Sequence, residues 1–169
     1  MKSTIFRKIM VATDGSELVK RAVHTAIEIA RLSGAKLYAV HVITPGGYDS
    51  ITTSRNEKWK RTIEEQLMTE GREATAYVEN AGRTANVEVE SVILEGSPAN
   101  EILDFAERKY IDLIVVGTHG KTAIQRFLIG SVSENVVRHS KRAVVVVRGE
   151  SADLLFKAIL NKGKKTNHI

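Results

Sequence analysis

The stretch that decides the fold is LIVVGTHGKTAIQRFLIGSVS, residues 113–133. It begins in an apolar run that stops at Gly117, as expected of a buried strand, and it ends where a helical pattern begins. Gly120 and the pair Gly130-Ser131 complete a G-x2-G-x9-G-S spacing between strand and helix. Glycines let a backbone approach a ligand closely, and the unpaired N–H groups at a helix start attract anions. The spacing therefore predicts a phosphate-binding loop.

Side chains in this loop can add to an anion site. Ser131 and Ser133 carry hydroxyl donors, and Val132 is expected to contribute its backbone N–H. Lys121 and Arg126 can neutralise phosphate charge, although exposed surface charge is the commoner role of such residues. The alternative interpretation is a loop that only turns between a strand and a helix, with Ser131 as an ordinary helix cap.

Two better-known phosphate motifs do not fit the chain. The hexapeptide GTHGKT is similar to the end of a Walker A loop, but that motif requires glycine where this chain has Val115. The dinucleotide signature G-x-G-x-x-G does not occur.

With these residues in view, the sequence resembles the universal stress protein family, and within it the ATP-binding branch. Gly117, Gly120, Gly130 and Ser131 match that branch's G-x2-G-x9-G-[ST] signature. The resemblance runs over residues 8–148 and includes KIMVATDGSE near the start and GSPANEIL before the third helix. It implies a Rossmann-like domain that binds ATP, usually dimerises, and has strand order 3-2-1-4-5.

The resemblance also implies roles for residues outside the loop. Asp14 corresponds to an acid that contacts the nucleotide or its metal, and Val42 to a residue whose backbone meets adenine. Ala12 and Val116 match further positions of the pocket. Each has an ordinary interpretation as well, because Asp14 can form an Asx turn and the three apolar residues can simply belong to the core.

Strand-like and helix-like patterns alternate five times along the chain. This alternation predicts an α/β protein with a doubly wound, five-stranded parallel sheet and helices on both faces. Ligands of such sheets lie beyond the carboxyl ends of the strands, so residues 12–14 are expected beside residues 117–120. The alternating segment 87–94 predicts an edge strand. Ser16 is expected to cap the first helix and Gly82 to end the second.

Composition bounds the kind of protein. Hydrophobic residues make up 43% and charged residues 27% of 169 residues, an ordinary globular balance. We expect one nucleotide-binding domain, residues 1–149, and an extension, residues 150–169, with a short amphipathic helix before a basic end. No apolar run approaches the roughly 20 residues that span a bilayer, and no signal peptide is evident, so a soluble cytoplasmic protein is expected. The chain has no cysteine, which excludes disulfides and thiolate chemistry.

Positive charge is concentrated late in the chain. Residues 84–120 carry seven acids and two bases, whereas residues 121–149 carry six bases and one acid. A polyphosphate partner fits this distribution, and a nucleic-acid surface is the competing interpretation. Aromatic residues amount to only 5%, which makes stacking on single strands a poor fit and nucleic acid the less favoured partner.

The sequence therefore favours a regulatory, stress-response protein that binds ATP, with Mg²⁺ or Mn²⁺ held mainly by the phosphates. A slow ATP hydrolase or phosphotransferase is an alternative, and whether the protein is an enzyme stays open. His119 lies between two glycines of the loop, but its spacing suggests no orienting partner for a catalytic base. A partner-binding module that ignores nucleotide is the third interpretation. The apolar strand 143–147 is expected to pair with its copy in a homodimer, or else to lie under the monomer's own helices or tail.

Overall fold

The computed structural model describes residues 5–45, 57–118 and 129–149. Its strands are β1 (Lys8–Ala12), β2 (Lys36–Ile43), β3 (Val89–Glu95), β4 (Leu113–Gly117) and β5 (Ala143–Val147). Its helices are α1 (Lys20–Ser33), α2 (Glu57–Thr84), α3 (Pro98–Arg108) and α4 (Ser131–His139), and a 3-10 turn, Glu17–Val19, precedes α1.

The five strands form one parallel sheet in the order β3-β2-β1-β4-β5. This order confirms the doubly wound α/β fold and the edge position of β3. The order in which the strands are added reverses between β1 and β4, which are parallel and pair through Ile9 with Leu113 and Val11 with Val115. In sheets of this kind the crevice for a ligand lies at this reversal, beyond the carboxyl ends of the two strands.

Helices cover both faces of the sheet. On one face, Val11 and Val115 pack with Val23 of α1 and Val78 of α2, and all four are fully buried. On the other face, Met10 of β1 and Ile114 of β4 are buried in one cluster with residues of α3 and α4, namely Ile102, Phe105 and Val136. Neighbouring residues of a strand point to opposite faces of the sheet, and helices cover both faces. Successive strand residues must therefore all be apolar, which explains the uninterrupted apolar runs in the sequence. Burying each such side chain stabilises the fold by about 1.5–3 kcal/mol.

The helix ends follow the sequence only in part. Gly34 ends α1 in the left-handed region, at φ 72°, as its glycine predicts. Gly82 does not end α2, which continues to Thr84, so that prediction is wrong. A Cβ at Gly82 would lie 2.3 Å from Cγ2 of Val89, so glycine is needed there for the close contact between α2 and β3.

Two residues without the freedom of glycine also adopt the left-handed region. Asn86 and Tyr110 both have φ 55°. Each follows a helix and leads into the next strand, at the amino edge of the sheet, opposite to the crevice. This conformation is uncommon for residues other than glycine. Within the described residues, no helix has both the length and the apolar character needed to cross a membrane.

Candidate functional site

The carboxyl ends of β1 and β4 lie side by side. The pairs Met10–Ile114 and Val11–Val115 bring the next residues, Ala12 and Val116, to the same level at the edge of the sheet. Val116 is 2% exposed, and Ala12 is partly buried against the same apolar cluster under α3 and α4.

Val42 completes this apolar group. It follows Val40, the partner of Ala12 in the register of β2, by two residues, and it packs against the same cluster. The three residues that the sequence assigned to an adenine pocket therefore share one face and one edge of the sheet. They are also core residues, so the ordinary interpretation holds for them too.

The loop after β1 satisfies its own backbone. The N–H of Ser16 donates to Oδ1 of Asp14 at 2.9 Å, and the N–H of Gly15 donates to Oγ1 of Thr13 at 3.2 Å. Asp14 thus forms the Asx turn that was the ordinary interpretation of this residue. One oxygen of its carboxylate accepts the hydrogen bond of this turn. The negative charge of Asp14 therefore lies at the carboxyl edge of the sheet.

The prediction that Ser16 caps the first helix with its side chain is wrong. Ser16 occupies the N-cap position of the 3-10 turn, but its hydroxyl makes no capping hydrogen bond. Its Oγ is buried and has no hydrogen-bond partner among the described residues. The N–H of Ser16 itself donates to Asp14, and the N–H of Val19 donates to the backbone carbonyl of Ser16.

The start of α4 also lacks a side-chain cap at its N-cap position. The helix begins at Ser131, and its N-cap is Gly130. Gly130 has φ −61° and ψ 153°, an extended conformation that any residue adopts, and no side chain caps this helix. The first intrahelical bond runs from the N–H of Glu134 to Gly130, so the N–H groups of residues 131–133 precede it.

The structure separates the two serines of the predicted cradle. Ser131 is exposed in the first turn and is not the helix cap, which removes the ordinary interpretation of this residue. Ser133 is 7% exposed, and its Oγ donates to the carbonyl of Gly117 at 2.5 Å. The hydroxyl hydrogen of Ser133 therefore holds α4 to the end of β4 and is not directed at a ligand.

Two backbone hydrogen bonds complete the base of the glycine loop. The N–H of Gly130 donates to the carbonyl of Thr118 at 2.6 Å, and the N–H of Thr118 donates to Val147 at 2.9 Å. These bonds hold the end of β4, the start of α4 and the end of β5 together. Gly120, His119, Lys121 and Arg126 lie outside the described residues, and their assigned roles stay predictions.

A buried histidine escaped the sequence analysis. His41 is 9% exposed, and its Nδ1 lies 2.9 Å from the carbonyl of Thr13. Because a carbonyl only accepts, Nδ1 carries the hydrogen. The alternation of β2 was a usable signal, since it places His41 on the same face as Leu37 and Ala39. The partner, in contrast, is 28 residues away and not visible in the sequence.

A cleft of about 240 Å³ opens on the face covered by α1 and α2. We call it the α1/α2 cleft. It lies between the loop after β1 and α2, and its lining includes Ser16, Lys20, Ala74 and Tyr77. The amino group of Lys20 lies 5.0 Å from the centre of the Tyr77 ring, and a hydrogen bond with Glu17 raises the pKa of Lys20.

The described part of the chain contains no group of three or more histidine, aspartate or glutamate side chains arranged to hold a metal ion. A divalent ion at the crevice would therefore need ligands other than such a cluster.

The sheet order, the reversal between β1 and β4, and the open helix start beside it define a Rossmann-like α/β protein with a crevice for an anionic ligand. The model of the universal stress protein family matches residues 5–148. The chain belongs to the universal stress protein family.

Individual relatives agree with this membership. The chain is 39% identical to universal stress protein MJ0531 of Methanocaldococcus jannaschii over 144 residues, which are 85% of this chain and 83% of the relative. A universal stress protein solved in complex with cAMP is 28% identical, with a TM-score of 0.61 over 85% of this chain and 97% of that one. The universal stress protein from Archaeoglobus fulgidus, solved in complex with dAMP, is 26% identical, with a TM-score of 0.64 over 85% and 99%.

Proposed function

We propose that this protein binds ATP at the carboxyl edge of its sheet and acts as a nucleotide-dependent regulatory protein in the stress response. One observation carries the proposal: α4 starts at a glycine N-cap, and Gly130 is hydrogen-bonded to Thr118, directly after β4 and beside the strand-order reversal. Free N–H groups and the positive end of a helix favour a phosphate group at such a place.

The adenine end of the ligand is supported by different observations. Ala12, Val42 and Val116 form an apolar group at the same edge, as purine pockets require. Two solved relatives carry the adenine nucleotides cAMP and dAMP. We assign the base to this apolar group and its backbone, with the phosphates towards α4.

The phosphate contacts are assigned to backbone groups of the glycine loop and to the start of α4. Gly117, Gly120 and Gly130 allow the approach of the backbone, and Ser131 and Val132 donate from the first helical turn. Ser133 is assigned an indirect part, because its hydroxyl already binds Gly117.

Asp14 is assigned to the nucleotide or to its metal. We propose Mg²⁺ or Mn²⁺ held mainly by the phosphates, which suits ions that keep few protein ligands.

The proposal extends to assembly and location. β5 lies at the edge of the sheet, and its residues Val144 to Val147 are only partly buried. An edge strand presents unpaired backbone groups that a second copy can pair with, so we propose a homodimer through residues 143–147. We propose that the dimer is cytoplasmic, with residues 1–149 as the nucleotide-binding domain and 150–169 as an extension.

The test is direct. Protein purified without added nucleotide is denatured, and the released small molecules are identified by mass spectrometry. The emptied protein is then titrated calorimetrically with ATP, ADP and AMP, with Mg²⁺ or with a chelator. We expect ATP to be released unchanged and to bind more tightly than AMP. Protein that releases no nucleotide and gives no heat with ATP would contradict the proposal, and steady formation of ADP would favour the hydrolase.

A further inference from the structure

The α1/α2 cleft combines an apolar floor with an acidic rim. Val19 and Ala74 are 5% and 4% exposed and form its floor together with the ring of Tyr77. Three carboxylates line the cleft, those of Asp14, Glu70 and Glu73. Its one basic side chain among the described residues, Lys20, is paired with Glu17. A complementary ligand is therefore apolar on one side and positively charged at its margin.

The chain itself leaves the domain at this cleft. After β5 it reaches Gly149, where a Cβ would lie only 2.8 Å from the carbonyl oxygen of Leu18. Leu18 directly precedes Val19, which lines the cleft. The sequence thus continues from the margin of the cleft, with twenty residues still to follow.

The sequence of these residues has the required chemistry. ESADLLFKAILNKGKKTNHI contains four apolar residues at helical spacing, namely Leu154, Leu155, Ala158 and Ile159. It carries four lysines against two acids. Four residues lie between Gly149 and Leu154, and the five steps along the chain reach up to about 17 Å when extended. That reach is sufficient to place the apolar group over the cleft.

We propose that residues 150–169 dock in the α1/α2 cleft of their own chain. The apolar residues of the extension cover Val19, Ala74 and Tyr77, and its lysines lie near Glu70 and Glu73. The other segment of the chain that could be considered, residues 46–56, has one acid and one base and so lacks the complementary charge. Docking buries apolar surface on both sides and pairs opposite charges at the rim, as in amphipathic helices that bind a groove.

Zero-length cross-linking tests the proposal on the full chain. A carbodiimide joins a lysine to a carboxylate only when the two are in contact. We expect linked peptides that join a lysine of residues 157–165 to Glu70 or Glu73. The double substitution Glu70→Gln with Glu73→Gln removes the reacting carboxylates, so the peptides that disappear in this variant are the ones linked at the cleft.

The matched control is Glu64→Gln with Glu65→Gln, on an exposed part of α2 outside the cleft, and it should leave the yield unchanged. Leu155→Asp, which keeps every rim carboxylate, should also lower the yield. Circular dichroism establishes that each variant is folded.

Two results would overturn the proposal. One is the absence of these links in the wild type, or an unchanged yield in the Leu155→Asp variant. The other comes from a mixture of ¹⁵N-labelled and unlabelled protein, where links found between the two labels in the statistical proportion would show that the extension occupies the cleft of a second copy.

Discussion

Two junctions between a strand and a helix meet at the crevice, and they treat their backbone groups in opposite ways. After β1, the side chains of Thr13 and Asp14 accept hydrogen bonds from the following N–H groups, and a 3-10 turn leads into α1. Before α4, the N-cap is a glycine, and no side chain among the described residues accepts from the first N–H groups of the helix. The first junction places a carboxylate in its loop, whereas the carboxylate in the first turn of α4, that of Glu134, is paired with Arg138.

Under our proposal, the difference suits one edge to both the phosphates of a nucleotide and the metal ion they hold. A carboxylate at the first junction repels phosphate but suits a metal ion, whereas the second junction has the donors that phosphate needs.

The sharpest way to break this contrast is Gly130→Asp. The observed φ and ψ suit aspartate, and its carboxylate would cap α4 as Asp14 serves the other junction. Because it uses the donors and adds negative charge, we expect ATP affinity to fall about a hundredfold, or about 2.7 kcal/mol. Calorimetric titration measures this effect. Gly130→Ala adds no charge and should retain most of the affinity; equal affinities of Gly130→Asp and wild type would contradict our assignment.

Ser133→Ala tests the fixed part of the second junction. It removes the donor of a buried hydrogen bond and leaves the Gly117 carbonyl without it, which we expect to lower the free energy of unfolding by about 1–2 kcal/mol. Ser131→Ala, on an exposed side chain, should change it by less than about 0.5 kcal/mol. Urea denaturation compares the two variants, and equal losses would show that the hydroxyl of Ser133 has no structural role.

Asp14→Asn tests the first junction. Asparagine keeps an oxygen that can accept from the N–H of Ser16, so we expect the melting temperature to stay the same. The loss of charge should weaken ATP binding in the presence of Mg²⁺ by about three- to tenfold, or roughly 0.6–1.4 kcal/mol, with a smaller effect in chelator. Asp14→Ala should lower the melting temperature as well. An identical Mg²⁺ dependence of wild type and Asp14→Asn would remove Asp14 from the metal site.

An ion pair remote from both junctions should contribute to the stability of the fold and have no effect on the affinity for ATP. Arg142, before β5, donates to Glu107 at the end of α3 at 3.0 Å and lowers the pKa of that carboxyl. A lowered pKa in the folded state stabilises the protein above the ordinary value of 4.5, and this contribution is lost as the pH falls through the lowered pKa. Glu107→Gln should melt slightly lower at pH 7, with a difference that narrows below pH 4.5. A constant difference over this range would contradict the role of the charge.

Much of the fold was predictable because its signals are local. Apolar runs predicted the five strands, and Gly34 predicted the end of α1. The alternation of apolar and polar residues before Leu94 predicted the edge position of β3. Parallel pairing and right-handed crossovers then give a doubly wound sheet from local patterns alone. The order of its strands came from the family resemblance, since chain-local patterns do not specify neighbours.

The missed features all depend on distances between residues far apart, or on competition for one partner. The close contact of Gly82 with Val89 and that of His41 with Thr13 cannot be read from either segment alone. Ser16 has the side chain of a good helix cap, but in the structure its hydroxyl makes no capping bond, while Asp14 forms an Asx turn. Ser133 could donate to a ligand or to its own fold, and the sequence does not distinguish the two.

Asn86 and Tyr110 have a consequence for how this chain can change. Their unfavourable backbone angles lie at the end of the domain remote from the crevice, and Tyr110 is 72% exposed. Heat tolerance can therefore rise there, by replacement with glycine, without altering any residue assigned to the ligand. Substitutions that raise the melting temperature and substitutions that alter ligand binding can therefore fall at separate positions of this chain.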